Sequence, residues 1–186
     1  MSKSTTLRDG LKVPVLSGEA AAKLIEDGAV ITISSSSALG CPDFVLKAIG
    51  ERFEKESSPK NLTAISPIAA GDMYGVKGID HISKKGLLSK IIAGSYPSGP
   101  SSFEPPLIRQ LIANEEIDAY NLPSGVIFQM HRAGAAKQPG VFSKVGMDTF
   151  IVLIHVSQGE LSIKKLPRIS LKSKTFVEKT GCSIQA

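Results

Sequence analysis

Tryptophan is absent from this chain, and its 186 residues include only two cysteines, Cys41 and Cys182. So few thiols cannot build the disulfide framework that stabilises small secreted domains. The three histidines, His81, His131 and His155, are too far apart in sequence for metal-ligand spacing, so no metal site is expected. No apolar run approaches the ~20 residues of a membrane helix. The opening Met1-Ser2-Lys3-Ser4-Thr5-Thr6 also lacks the apolar segment of a secretory signal. A cytoplasmic location with no membrane partner is therefore expected. Aromatics make up 5% of the chain and are not interleaved with its cations, as base stacking on a nucleic acid requires. No nucleic-acid partner is expected, despite a formal charge of +5.

What is present is enough apolar residue, 42%, for one domain with a real core. The cationic excess is concentrated late. After residue 150, six Lys or Arg stand against Glu160 and Glu178, whereas the body before it is nearly neutral. Residues 1–150 therefore read as one domain and residues 151–186 as an atypical basic tail.

Between residues 17 and 140, short β-branched runs alternate with helical periodicity, the pattern of an α/β domain with a mostly parallel sheet flanked by helices. Ser17 is a candidate N-cap for a helix over 19–26 that ends at Asp27-Gly28. A buried strand is expected over 29–33. Pro42 and Asp43 open a helix whose apolar positions are Phe44, Val45, Ala48, Ile49 and Phe53, with Lys47, Glu51, Arg52 and Glu54 as its wet face. Strands follow over 62–65, 88–93 and 117–122, with helices over 106–114 and 125–138. In the helix at 106–114, Leu107, Ile108, Leu111 and Ile112 are expected to face inward. The Gly-, Pro- and Ser-rich stretches 71–78 and 95–105 are loops at strand ends, where α/β domains bind ligands.

Few residues stand out as chemical. The run Ser34-Ser35-Ser36-Ser37-Ala38-Leu39-Gly40 lies between a strand and a helix, where small residues let backbone N–H groups approach an anion. It matches neither a dinucleotide fingerprint nor a phosphate loop, having one glycine and no following Lys-Ser or Lys-Thr. A close-packed turn is the equal alternative. Cys41 sits near a helix start but has no neighbouring histidine, so a structural thiol is expected. His131 and Arg132 read as partners for polar groups at a domain surface, and Glu104, Glu115 and Glu116 as solvated surface.

The motifs Ile117-Asp118-Ala119-Tyr120-Asn121-Leu122-Pro123-Ser124-Gly125, Arg132-Ala133-Gly134-Ala135-Ala136 and Pro139-Gly140-Val141-Phe142-Ser143-Lys144-Val145-Gly146 occur here in that order. With Gly71-Asp72, Gly78-Ile79-Asp80-His81 and Gly86-Leu87-Leu88, they resemble family I coenzyme A transferases, most of all the single-chain acetate or propionate branch. The resemblance implies the amino-terminal domain of that family. It also implies transfer of CoA between a short-chain acyl-CoA and a carboxylic acid through a glutamate nucleophile, with CoA as substrate and no cofactor or metal. In the family that glutamate lies in a second half or a separate β subunit. The resemblance thus implies no catalytic residue here, inactivity of the chain alone, and a complementary carboxyl-terminal half or β chain as partner. Ser36, Ser37, Gly40, Ser124 and Gly125 are the pocket candidates. Many family members carry Gln where Ser124 stands, so a shorter hydroxyl takes that place. From another class, a non-catalytic sugar-phosphate-binding α/β domain would use the 34–40 loop without affinity for CoA.

The tail departs from the family pattern, yet in a shifted reading frame it returns to it. Residues 153–156 can yield Asp-Pro-Arg, 158–160 Gly-Gly, 166–171 Thr-Glu-Asp-Leu-Val, and 180–184 Trp-Leu-Phe-Tyr. Residues 151–186 are therefore read as a frameshift product, with no selected core pattern. Sequencing the gene is expected to find, at all four stretches, the synonymous codons that the shifted reading requires. An incompatible codon in any of them rejects the frameshift.

Overall fold

The computed structural model describes residues 3–6, 12–98, 104–146, 154–157, 160–163, 177–178 and 181–184, with side chains for 15–98 and 104–146. A short antiparallel hairpin, β1 (Lys3–Thr6) with β2 (Lys12–Val15), precedes the α/β body. The body runs α1 (Gly18–Ala22), β3 (Val30–Thr32), α2 (Asp43–Glu56), β4 (Leu62–Ser66), a 3-10 turn (Gly78–His81) and β5 (Leu88–Ala93). It continues with α3 (Leu107–Ala113), β6 (Asp118–Asn121), α4 (Ser124–Ala135) and β7 (Val141–Ser143). Beyond these lie β8 (Ile154–Ser157), β9 (Glu160–Ile163), β10 (Val177–Glu178) and β11 (Gly181–Ile184). β8 pairs with β9, while β11 pairs antiparallel with both β10 and β7. The side chains of the basic tail lie outside the described residues.

The central sheet has the order β3-β4-β5-β6, and all three pairings are parallel, as the alternation of patterns anticipates. Parallel strands are apolar on both faces and need cover on both. One face carries the larger core, in which Ile33, Ala64, Ile91 and Ala93 of the strand layer meet Leu46 and Ile49 of α2, Ile79 and Ile82 of the turn region, and Ile108 and Leu111 of α3. The other face carries a smaller core, with Ile65 and Ile92 against Val126, Ile127, Met130 and Ala133 of α4.

Several local expectations change. Ser17 caps α1, its Oγ accepting from Ala20 N at 3.2 Å, but the helix ends at Ala22 rather than at 26. Arg52 is the reason. It is not on a wet face; its side chain is 18% exposed, and one guanidinium nitrogen donates to Ala22 O at 2.8 Å and Ile25 O at 2.9 Å. The other nitrogens reach Ser58 Oγ at 3.2 Å and Glu56 at 3.0 Å. Arg52 thus satisfies the carbonyls released where α1 unwinds. Phe44, expected inward, is 72% exposed, and Leu46 takes the buried position. Leu107 is likewise outside, at 45%, because α3 turns Ile108 and Leu111 to the core.

Hydrogen bonds from a charged donor contribute about 1.5–3 kcal/mol each, and losing this one leaves two carbonyls short of a partner. Arg52→Ala is expected to lower the unfolding free energy by about 2–3 kcal/mol in urea denaturation. Arg52→Lys should recover less than half of that, since an ammonium cannot span both carbonyls.

Candidate active-site wall

The carboxyl ends of all four parallel strands open onto one edge of the sheet, and hydrogen bonds tie the loops there into a row. After β3, the chain forms a small reversal in which Ser36 N donates to Leu39 O and Leu39 N to Ser36 O. Ser37 adopts a left-handed conformation, φ 54°, and bridges to the next loop: its N–H reaches Ala69 O at 2.9 Å and its carbonyl accepts from Gly71 N at 3.0 Å. Ser35 Oγ adds a bond to Ala69 O. The β4 end is tied to the β5 end in turn, through Gly94 N to Ser66 O and Ala69 N to Ser95 Oγ, both at 3.0 Å. Finally, Leu122 N donates to Ala93 O, bringing in the β6 end and the start of α4.

Ser36, Ser37, Gly40 and Gly125 are exposed on this row and Ser124 is half-buried. The serine loop joins directly to residues 69–71, whereas Ser124 packs at the other end of the row, over Gly94. A Cβ at Gly94 would collide with both the Pro67 carbonyl and Ser124 Oγ, so glycine is what lets these strand ends close together. Gly125 has open space in front of it.

The acidic residues carried in the recognised motifs turn out to brace this edge. Asp72 Oδ1 accepts from the N–H groups of Tyr74, Gly75 and Val76 at 2.9–3.2 Å, and these bonds hold its carboxyl below the usual range. Asp43 Oδ1 accepts from Gly78 N at 2.6 Å and lies 3.2 Å from His81 Nε2, a separation without hydrogen-bond alignment. Asp80 caps α3 from outside the helix, accepting from Leu107 N at 2.8 Å and Ile108 N at 3.1 Å; burial nevertheless raises its pKa. Spacing alone did not reveal these roles, because each partner lies in a different loop or helix.

Cys41 is free and partly buried. Burial first, and then the carboxylates of Asp43 and Asp72, push its thiol above the ordinary value, in keeping with a structural thiol. His131 does not meet the polar partner expected for it. Its Nε2 is buried without a hydrogen bond among the described residues. It lines an open groove of about 340 Å³ with Val30, Thr32, Ile65, Met130, Gly134 and Ala135, which includes none of the five pocket candidates. Among the described residues there is no cluster of metal-ligating side chains and no helix long and apolar enough to cross a membrane.

The sequence profile of the family described as Coenzyme A transferase matches residues 17–165. The chain is 32% identical over 141 residues to acetate CoA-transferase YdiF of Escherichia coli K12, covering 75% of this chain and 25% of that one. It is 30% identical over 135 residues to one subunit of a probable succinyl-CoA:3-ketoacid coenzyme A transferase of Bacillus subtilis, covering 73% of this chain and 51% of that subunit. The crystal structure of acyl-CoA transferase YdiF of E. coli O157:H7, a thioester complex with CoA, superposes with a TM-score of 0.63 at 32% identity. That match covers 75% of this chain and 26% of the other. The chain thus spans about a quarter of the single-chain relative and about half of the Bacillus subtilis one.

A thiol with a raised pKa is mostly protonated at neutral pH and reacts as its thiolate. In a Cys182→Ser background, iodoacetamide is expected to label native Cys41 more slowly than the unfolded chain at pH 7.5, with the rate still rising above pH 9. A plateau below pH 8 would mean an activated thiol.

Proposed function

Because the chain belongs to the coenzyme A transferase family, we propose that it forms one wall of a site that transfers CoA between a short-chain acyl-CoA and a carboxylic acid such as acetate or propionate. The observation that carries this reading is the hydrogen-bonded row of strand-end loops from Ser36 to Gly125, with exposed backbone and hydroxyl groups and no carboxylate free to act as nucleophile among the five candidates.

In this chemistry a glutamate carboxylate attacks the thioester carbonyl and CoA thiolate leaves, giving a mixed acyl anhydride. The thiolate then attacks the glutamyl carbonyl, releasing the first carboxylic acid and forming a glutamyl-CoA thioester. The acceptor carboxylate repeats the sequence in reverse, so that CoA leaves on the acceptor and glutamate is regenerated. No redox cofactor or metal enters the balance. The glutamate is supplied by another polypeptide segment. This wall contributes donors: Ser124 Oγ and the exposed loop N–H groups are placed to hold the oxyanion that develops at each attack. Without the nucleophile such a wall turns over little or nothing. The β chain of a two-subunit enzyme is the corresponding partner in the second form of this reading, favoured by the match to half of the Bacillus subtilis polypeptide. Cytoplasmic short-chain acid metabolism is the setting.

The test is an acyl-CoA to acetate transfer assay on the chain alone and on the chain mixed with the separately expressed remainder of YdiF. Transfer is expected only in the mixture, with Ser124→Ala lowering kcat about tenfold, as for loss of one oxyanion donor of modest strength. Turnover by the chain alone rejects the reading of an incomplete site.

A further inference from the structure

The winding of the sheet determines where a completing segment must enter. The connections β3 to β4 and β5 to β6 place α2 and α3 on one face, both stepping in the same direction across the sheet. Parallel crossovers are right-handed, so a helix on the opposite face belongs to a chain stepping back the other way. α4, which follows β6, lies on that opposite face. The parallel strand that it leads to therefore belongs beyond β3.

That slot is open. Thr63 N donates to Ala29 O and Ile33 N to Ile65 O, so the odd residues of β3 turn their backbone groups to β4. By the alternation of a parallel ladder, Val30 and Thr32 turn theirs outward, and no strand pairs with them among the described residues. Instead of returning to β3, the segment after α4 forms β7, which pairs with β11. The side chains on that edge are uncovered too. Val30 is 37% exposed, and neither Val30 nor Thr32 belongs to the core beneath α4. They floor the 340 Å³ groove, with Gly134 and Ala135 low enough on α4 for another helix to come close, and the unpartnered Nε2 of His131 at its side.

We infer that the β3 edge and the groove beside α4 are the docking surface for a strand and helix of a second polypeptide, the strand adding parallel to Val30–Thr32 and the helix packing in the groove. The occupant is the family portion that this chain does not span. The matched Bacillus subtilis polypeptide has as much chain again within one subunit, and that half must pack on the matched half. A strand added at this edge would also place the serine loop after β3 at the point where the sheet's winding reverses, where open α/β sheets bind ligands. This rests on the reading that a second polypeptide completes the site.

The probe is the stretch of YdiF that follows the matched segment, expressed separately and mixed with the full chain. Sedimentation should detect a one-to-one complex, and hydrogen exchange at the Val30 and Thr32 amides should slow by about tenfold or more on mixing. Thr32→Pro, which removes only an outward N–H, and Ala135→Glu, which puts a charge in the groove, should each weaken association about tenfold or more. Asp118→Lys on the opposite edge strand should not. A transfer-inactive complex with protected β3 amides would reject the transferase reading and leave this one standing. Absence of a complex, a complex with unprotected β3 amides, or protection already present in a dimer of the chain alone would each overturn the docking surface.

Discussion

A parallel ladder has apolar side chains on both faces and unpaired backbone groups along each free edge, so it is stable only when other elements cover it. The sheet β3-β4-β5-β6 meets that demand unevenly. One face is closed by α2, the Gly78–His81 turn and α3, whereas α4 alone covers the other and leaves β3 bare. The same asymmetry fixes the active-site wall, the open groove and the direction in which the sheet is wound. A polypeptide that spans half of a relative's length would carry this kind of partial cover.

The wall owes its shape to bonds between loops rather than to any one motif. Ser37 in its left-handed conformation couples the serine loop to residues 69–71, and Gly94 lets Ser124 approach the end of β5. Asp43, Asp72 and Asp80 then hold the surrounding turns through backbone N–H groups. In a transferase whose nucleophile arrives from another segment, such bracing has a clear use: donors that are already fixed need no rearrangement when charge develops on the thioester oxygen.

Where periodicity was strong, the sequence was a good guide. β5 occupies 88–93 as expected, and β4, α3, β6 and α4 lie within a few residues of their expected spans. It misled at Phe44 and Leu107, because a helix rotated by one position presents a different apolar residue inward, and at Arg52, because a cation that caps another helix's carbonyls looks in sequence like an ordinary surface charge. The five pocket candidates were legible only as loop residues on a resembled family turn; nothing in their spacing says which bond reaches which loop.

Composition and periodicity by themselves determined the α/β class, since strand and helix periods are local properties of the chain, and the ordered motifs from Gly71-Asp72 to Val145-Gly146 determined the family. Only the tertiary structure decided that Asp43, Asp72 and Asp80 brace turns, that His131 faces a groove, and that Val30 and Thr32 form an open edge. Those facts depend on which residues distant in sequence meet and on which side the crossovers run, and no local pattern encodes either.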